Sequence, residues 1–137
     1  MGFLIDTNLW VAVERGIISA ADIYAITRQQ PVYLSPINLA ELRYGAELIA
    51  KPALRLRAQT MLKRLRRKPF LRITAETAEI FGVLAAKLTK VRKSHLTRVQ
   101  DLWLAAQCIQ RGFTLLTNNA KNFRDIPGLK MTWVKLP

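Results

Sequence analysis

The sequence lacks the residues on which several classes of protein depend. Its 137 residues include one cysteine, Cys108, and one histidine, His95, so no internal disulfide can form and a zinc site of cysteine and histidine alone is excluded. No apolar run approaches the roughly 18 residues that a membrane-spanning helix needs. The first residues also do not combine a basic segment with a long apolar run, as a secretory signal would. We therefore expect a soluble, cytoplasmic protein that does not enter a membrane.

Acidic residues are scarce as well. Nine Asp and Glu stand against 22 Lys and Arg, which gives a formal net charge of +13. Such an excess predicts a polyanionic partner, unless the charge serves only to keep the surface soluble. The basic residues concentrate in the acid-free segment 51–72 and around His95. The candidate contacts to a nucleic-acid backbone in these two regions are Arg64, Arg66, Arg67, Lys68, Lys90, Arg92 and Lys93.

Short apolar segments alternate with helical patterns along the chain. Ser19, Ser35 and Thr74 are expected to cap helices, and Gly112 is expected to end one. This alternation predicts an α/β fold with three layers, α/β/α, around a central, mainly parallel sheet of about five strands. Because there is no linker or internal repeat, residues 1–137 are expected to form a single domain. The predicted strands are 2–5, 32–34, 71–73, 113–117 and 131–135.

Four polar residues lie where this topology would bring chain segments together. In an open parallel sheet, ligands bind beyond the carboxyl ends of the strands. Asp6 follows the first strand and Asn119 follows the fourth, while Glu41 and Asp101 lie in the helices next to the second and fourth strands. Taken alone, Asp6 and Asp101 could simply begin helices, and capping would explain Asn119 fully.

Glu41 is harder to explain as a purely structural residue. It interrupts an apolar stripe formed by Ile37, Tyr44 and Leu48, and a glutamate on an apolar face needs a partner because an unpaired buried charge is costly. Asp101 similarly heads a stripe that is expected to face the core. The second stripe that flanks Glu41 consists of Leu39, Leu42, Ala46 and Ile49.

Three carboxylates that share one crevice would repel one another. Two unit charges about 4 Å apart interact by roughly 4 kcal/mol at an effective dielectric constant near 20, so protons or a cation must relieve the repulsion. Oxygen ligands without cysteine or histidine favour Mg²⁺ or Mn²⁺, and either ion can activate a water molecule as a nucleophile. A metal-activated water amid a basic surface that attracts phosphates indicates a phosphodiesterase.

The residues quoted above belong to four ordered motifs that resemble those of PIN-domain ribonucleases. These motifs are FLIDTN at 3–8, INLAEL at 37–42, DLWLAA at 101–106 and LLTNN at 115–119. The chain length and the segment FRDIPGL at 123–129 are most similar to VapC-type toxins of bacterial toxin–antitoxin pairs. Each motif alone is weak, but all four in order, over essentially the whole chain, are specific.

The resemblance implies a PIN-like fold that cuts single-stranded or looped RNA with Mg²⁺ or Mn²⁺. By motif match, Asp6, Glu41 and Asp101 would form the acidic site, with Asp6 and Asp101 as direct metal ligands. Thr7 and Thr117 would be supporting hydroxyls. The resemblance further implies a homodimer and a higher complex with a cognate antitoxin, whose tail covers the active site.

One position departs from the family pattern. The fourth motif, which often carries an aspartate in PIN domains, has Asn119 here. An amide can ligate a cation or hold a water molecule, but it supplies no charge and cannot act as a base. The site therefore resembles a three-carboxylate version, in which a firmly held second metal is not expected.

The sequence thus predicts a metal-dependent endoribonuclease that acts as a toxin. The alternative is a non-catalytic basic nucleic-acid-binding module of α/β fold, in which Trp10, Trp103 and Trp133 could stack on bases. That alternative gives no reason for the position of Glu41. Other α/β phosphate enzymes are disfavoured, because no Asp-x-Asp follows the first strand and no glycine-rich phosphate loop is present.

Overall fold

A parallel sheet forms the centre of the computed structural model, which describes residues 1–91 and 98–137. The strands are short and lie in the order β2-β1-β3-β4. In register, Leu4 of β1 lies between Tyr33 of β2 and Leu115 of β3, and all three strand pairs are parallel. The predicted parallel sheet is therefore confirmed. The strands are β1 Phe3–Ile5, β2 Val32–Tyr33, β3 Thr114–Thr117 and β4 Lys130–Trp133.

Helices connect the strands and begin where the capping residues predict. Ser19, Ser35 and Thr74 each form a capping box at the start of a helix, and Gly112 ends the last helix with a left-handed backbone, φ 67°. A 3-10 helix, Ala120–Asn122, follows β3. The α-helices of the described residues are α1 Thr7–Glu14, α2 Ala20–Ile26, α3 Pro36–Glu47, α4 Pro52–Leu65, α5 Ala75–Lys90 and α6 Val99–Arg111.

Alternate residues of the central strands face two separate core clusters. Leu4 and Leu115 pack with buried residues of α5 and α6 on one face. Ile5 and Leu116 pack with buried residues of α1 to α4 on the other face. Because both faces of the sheet are covered, every position of these strands can be apolar, which is why they appear as continuous apolar runs. The three-layer arrangement is confirmed.

The predicted strand at 71–73 is wrong. Only an isolated parallel bridge joins Leu34 to Phe70, and the N–H of Leu71 donates to the carbonyl of Leu34 at 2.8 Å. The pairing stops there because Ser35 turns the chain into α3 and leaves no strand for further residues to pair with. The sheet of the described residues therefore has four strands instead of about five.

Two further expectations concern the surface of the protein. Among residues 1–91 and 98–137, no helix combines the length and the apolar character that crossing a membrane would need.

The candidate contacts Arg92 and Lys93, together with His95, lie outside the described residues.

Candidate active site

Asp6 lies at the carboxyl end of β1, where the chain enters α1. Its Oδ1 accepts the N–H of Thr7 at 2.8 Å, so the carboxylate caps α1. Its Oδ2 accepts the hydroxyl of Thr117, the last residue of β3, also at 2.8 Å. Burial raises the pKa of Asp6, and the bonds from Thr117 and Thr7 lower it by less. Two neighbouring strand ends thus hold this carboxylate in a fixed orientation.

Thr7 connects this region to Glu41 on α3. The Oγ1 of Thr7 donates to Oε1 of Glu41 at 3.1 Å. Glu41 is half-buried, and the loss of solvation is the main reason that its pKa is raised. The bond from Thr7 lowers that pKa, while the negative charges of Asp6 and Asp101 raise it further. The hydrogen-bond partner that the sequence predicts for Glu41 is therefore the hydroxyl group of Thr7.

The prediction that the stripe of Ile37, Tyr44 and Leu48 faces the core is wrong in part. Tyr44 is 68% exposed and Leu48 is 66% exposed. Instead, α3 packs on the core through the flanking stripe, in which Ala46 is buried and Leu42 is half-buried. Because the flanking stripe covers the core, Glu41 lies at the margin between the buried and the exposed sides of α3.

Asp101 lies in the first turn of α6 and is half-buried. Leu104, Ala105 and Cys108 below it are fully buried, which confirms that it heads a stripe facing the core. The pKa of Asp101 is raised to about 6, first by the loss of solvation and then by the charge of Asp6, while the nearby charge of Arg98 lowers it.

The three predicted carboxylates affect one another. The charge of Asp6 raises the pKa of both Glu41 and Asp101, and the charge of Asp101 raises that of Glu41. The structure thus brings together a residue that follows β1 and residues of α3 and α6, as the sequence predicted. All three carboxyl groups hold protons more tightly than usual, so a cation next to them would relieve both their repulsion and part of the cost of burial.

The carboxylates do not form a closed metal cage. Within residues 1–91 and 98–137, no group of three or more His, Cys, Asp or Glu side chains is arranged to hold a metal ion. Mg²⁺ commonly binds through only one or two carboxylates and retains several waters, so such a cage is not required. A two-carboxylate set of Asp6 and Asp101 fits this chemistry.

The side chain of Asn119 does not cap the turn that follows β3, whereas its supporting role in the site stays a prediction. It precedes the 3-10 helix, but its side chain makes no capping hydrogen bond. The backbone N–H of Asn119 instead donates to Oγ1 of Thr117 at 3.0 Å, and that hydroxyl donates to Asp6. The prediction of a side-chain cap is wrong because the hydroxyl of Thr117 organises this turn.

Sequence reasoning missed Asn38, which is fully buried beside the site. Its Nδ2 donates to Oγ1 of Thr7 at 2.7 Å, and its Oδ1 accepts the N–H of Ser35 at 2.6 Å. Asn38 therefore belongs both to the capping box of α3 and to the chain of hydrogen bonds that ends on Glu41. Its position three residues after a serine cap was the available signal.

A second missed feature fixes the start of α6. The guanidinium of Arg98, the residue before α6, donates to both carboxylate oxygens of Asp125 at 2.8 Å and also to the carbonyl of Asn122. The two charged side chains are 18% and 26% exposed. This pair ties the turn that carries Asp101 to the segment after the 3-10 helix. In the sequence, Asp125 belongs to the segment 123–129, whose only signal is its similarity to VapC-type toxins.

The predicted nucleic-acid contacts that the structure describes have different surroundings. Arg64 pairs with Glu14 at 2.8 Å and lines a groove of about 710 Å³ between α1, α3 and α4, which Glu41 also lines. Lys68 instead lies with its Nζ 5.9 Å from the ring centre of Trp10. The remaining described candidates, Arg66, Arg67 and Lys90, are exposed.

The tryptophans offer little support for base stacking. Trp10 is buried, and Trp103 is half-buried and stacks on Phe81 with the ring centres 4.4 Å apart. Trp133 is 58% exposed, but it lies on β4. The two less exposed rings belong to the packing of the protein.

Comparison with known proteins identifies the family of the chain. A family model of the PIN domain matches residues 3–129, which include β1, β2, β3 and the three carboxylates. This chain belongs to the PIN-domain family. The PIN-domain protein is also similar to ribonuclease VapC of Rickettsia bellii (strain RML369-C), with 31% identity over 137 residues, 99% of this chain and 98% of that one. Ribonuclease VapC1 of Rickettsia felis is 30% identical over 135 residues, 98% of this chain and 97% of its own length.

A solved structure shows the same fold. The crystal structure of VapBC2 from Rickettsia felis, bound to a DNA fragment from their promoter, contains a chain that superposes on the PIN-domain protein with a TM-score of 0.80. The two chains are 24% identical, and the match covers 98% of this chain and 100% of that one. The resemblance drawn from the four sequence motifs is confirmed.

Proposed function

We propose that this PIN-domain protein is a Mg²⁺- or Mn²⁺-dependent endoribonuclease that acts as the toxin of a toxin–antitoxin pair. The observation that carries the proposal is the placement of Asp6, Glu41 and Asp101 near the carboxyl edge of the sheet, where the charge of Asp6 raises the pKa of both other carboxyl groups. The names of the two ribonuclease VapC relatives support RNA as the substrate.

Each polar residue of the site has a defined task in the proposed reaction. Asp6 and Asp101 would hold the divalent ion, and Glu41 would accept a hydrogen bond from the attacking water and orient it. When bound, the ion would supply Lewis acidity, which would stabilise negative charge on the phosphate and make water a stronger nucleophile at neutral pH. The hydroxyl of Thr117 keeps Asp6 in place. The hydroxyl of Thr7 keeps Glu41 in place.

Basic residues are proposed to bind the RNA backbone. Arg64 is the most direct candidate, because it lines the groove that also contains Glu41. Contacts between cations and phosphates release counterions, so RNA affinity should fall steeply with salt and carry no sequence preference of its own. Further proposed contacts are Arg66, Arg67, Lys68 and Lys90, together with Arg92 and Lys93.

The proposed partners follow from the family. We propose that the protein is cytoplasmic, forms a homodimer and joins a larger complex with a cognate antitoxin. The structural similarity to a chain of the VapBC2 complex supports the proposed larger complex. Co-purification with the product of the neighbouring gene, followed by light scattering to determine the mass of the complex, tests the homodimer and the larger complex.

Cleavage of RNA by the purified chain tests the reaction and the site together. The assay compares Mg²⁺, Mn²⁺ and EDTA for the native chain, Asp6→Asn and Asp101→Asn. Glu79→Gln is the matched control, because Glu79 is an exposed carboxylate on α5. We expect metal-dependent cleavage in the native chain and in the control, and none in the two site variants.

Two other results would change the assignment. Full activity of purified Asp6→Asn would refute the proposed role of Asp6. RNA binding that is equal with EDTA, together with no cleavage and no metal binding by calorimetry, would favour the non-catalytic module.

A further inference from the structure

A second concave site lies on the side of the sheet that α1 and α2 cover. This pocket has a volume of about 370 Å³. Its walls are mainly apolar, from Ile5, Val32 and Leu34 around the sheet and from Trp10 and Ile23 on the two helices. Pockets of about 300 to 1,000 Å³ with apolar walls and a few polar groups are typical of small-molecule sites. The size and composition therefore suit a small ligand.

The described residues that line the pocket carry positive charge and no negative charge. Lys68 is its one charged lining residue in the described part of the chain, and no Asp or Glu from that part contributes. Its ammonium lies 5.9 Å from the centre of the Trp10 ring and forms no ion pair with a described residue. Lys68 is exposed, and an ammonium without an ion-pair partner among the described residues, placed beside apolar walls, is complementary to an anionic group carried on an apolar body.

The rim of the pocket holds an unusual backbone. Arg28 and Gln29, which follow α2, have φ values of 53° and 64°, and Gln29 lines the pocket. One left-handed residue, usually glycine, is enough to end a helix, whereas two successive residues with side chains cost additional strain. Strained backbone of this kind often occurs at ligand-binding positions.

We propose that this pocket binds a small apolar carboxylate. The ring or alkyl body of the ligand packs against Trp10, Ile23 and Leu34, and its carboxylate pairs with the ammonium of Lys68. The site shares no residue with the three carboxylates. Lys68 is also a proposed RNA contact, but ligand binding is measured without RNA, so its outcome does not depend on the nuclease assignment.

The indole N–H of Trp10 offers a direct measurement. Its Nε1 is buried and donates to no acceptor among the described residues. Its resonance in a ¹H–¹⁵N correlation spectrum should therefore respond strongly to a nearby ring or acceptor. The protein has three tryptophans, and Trp10→Phe identifies the relevant signal among three indole peaks. Phenylacetate is the probe, and phenylacetamide is its neutral counterpart.

We expect phenylacetate to shift the Trp10 signal saturably, with a Kd on the order of 1 mM, as for a ligand of this size. Lys68→Met should weaken phenylacetate binding by about fivefold or more and leave phenylacetamide binding unchanged. Lys63→Met, which removes an exposed charge on α4 outside the pocket, should have no effect. Ala20→Phe, which fills the pocket from α2, should abolish binding of both compounds while the Trp103 and Trp133 signals stay in place.

Three results would overturn the proposal. A Trp10 signal that does not move at saturating probe concentration would exclude the site. Unchanged binding in Ala20→Phe would place the ligand elsewhere. Equal affinity for phenylacetate and phenylacetamide, with no effect of Lys68→Met, would refute the anionic class of ligand.

Discussion

Asp101 affects the stability of the protein in the direction opposite to that of an ordinary ion-paired carboxylate. Its pKa in the folded protein is about 6, above the ordinary value of 3.8. Between these two pH values the folded chain binds more protons at this group than the unfolded chain does. The contribution of Asp101 to folding therefore becomes less favourable as the pH rises from about 4 to 6, and then remains constant.

Replacing Asp101 by asparagine should stabilise the protein at neutral pH. After a discount for solvent screening, we expect the free energy of unfolding of Asp101→Asn to exceed that of the native chain by about 1 to 2 kcal/mol at pH 7.5. At pH 4 the difference should disappear. Urea unfolding at both pH values measures it, and Glu79→Gln should match the native chain at both. A variant that is less stable than the native chain at pH 7.5 would contradict this account.

Thr7 is expected to matter through its hydroxyl and not through its shape. Thr7→Val keeps the volume but leaves the Nδ2 of Asn38 without its acceptor and Glu41 without its donor. We expect a loss of about 1 to 3 kcal/mol of stability and a loss of about tenfold or more in RNA cleavage. Thr7→Ser, the matched control that keeps the hydroxyl, should retain most of both. Equal behaviour of the two variants would show that this hydrogen-bond chain has no role.

At the scale of single elements, the position of Asp101 depends on how α6 begins. No side chain caps this helix, and the pair of Arg98 with Asp125 anchors its first turn from outside. The same guanidinium lowers the pKa of Asp101. One interaction thus positions a proposed metal ligand and favours its charged form.

Arg98→Met should reveal both effects. We expect a loss of about 1 to 2 kcal/mol in the free energy of unfolding, because the pair is bidentate and mostly buried. The pKa of Asp101 should rise above about 6, since a nearby positive charge is lost. Urea unfolding measures the first effect, and ¹³C NMR titration of the Asp101 carboxyl measures the second. Arg124→Met, which alters an exposed neighbour of Asp125, should show neither change.

At the scale of the whole molecule, the two hydrophobic core clusters pack on opposite faces of the same four-stranded sheet. Leu115 and Leu116 are adjacent on β3 and fully buried, yet they belong to opposite clusters. Loss of either core would expose one face of every strand. We therefore propose that residues 1–137 unfold as a single domain.

Cavity-forming substitutions on the two faces test this cooperativity. Leu115→Ala and Leu116→Ala should each lower the free energy of unfolding by about 2 to 5 kcal/mol. In both variants, far-ultraviolet circular dichroism and tryptophan fluorescence should report one common midpoint, as in the native chain. Separate midpoints for the two probes in either variant would show that the two clusters unfold independently.

The elements were predictable because their signals are local. Serine and threonine caps, proline at the start of a helix and a glycine end mark the helices, and three-residue apolar runs mark the buried strands. The prediction of a strand at 71–73 was wrong because a strand needs a neighbouring strand to pair with. The neighbouring segment ends at Ser35, where the chain turns into α3. The exposure of Tyr44 and Leu48 was also not predictable, since two apolar stripes compete on α3 and only packing selects one.

The sequence by itself determined the fold class and the family and predicted the three carboxylates, because motif order and strand-end positions are properties of the chain. Only the tertiary structure decided how those carboxylates are held. The bonds of Asp6 to Thr117 and of Thr7 to Glu41 join residues 111 and 34 positions apart. Such contacts have no local signal. They exist only because the parallel strands of the sheet bring their carboxyl ends to one edge.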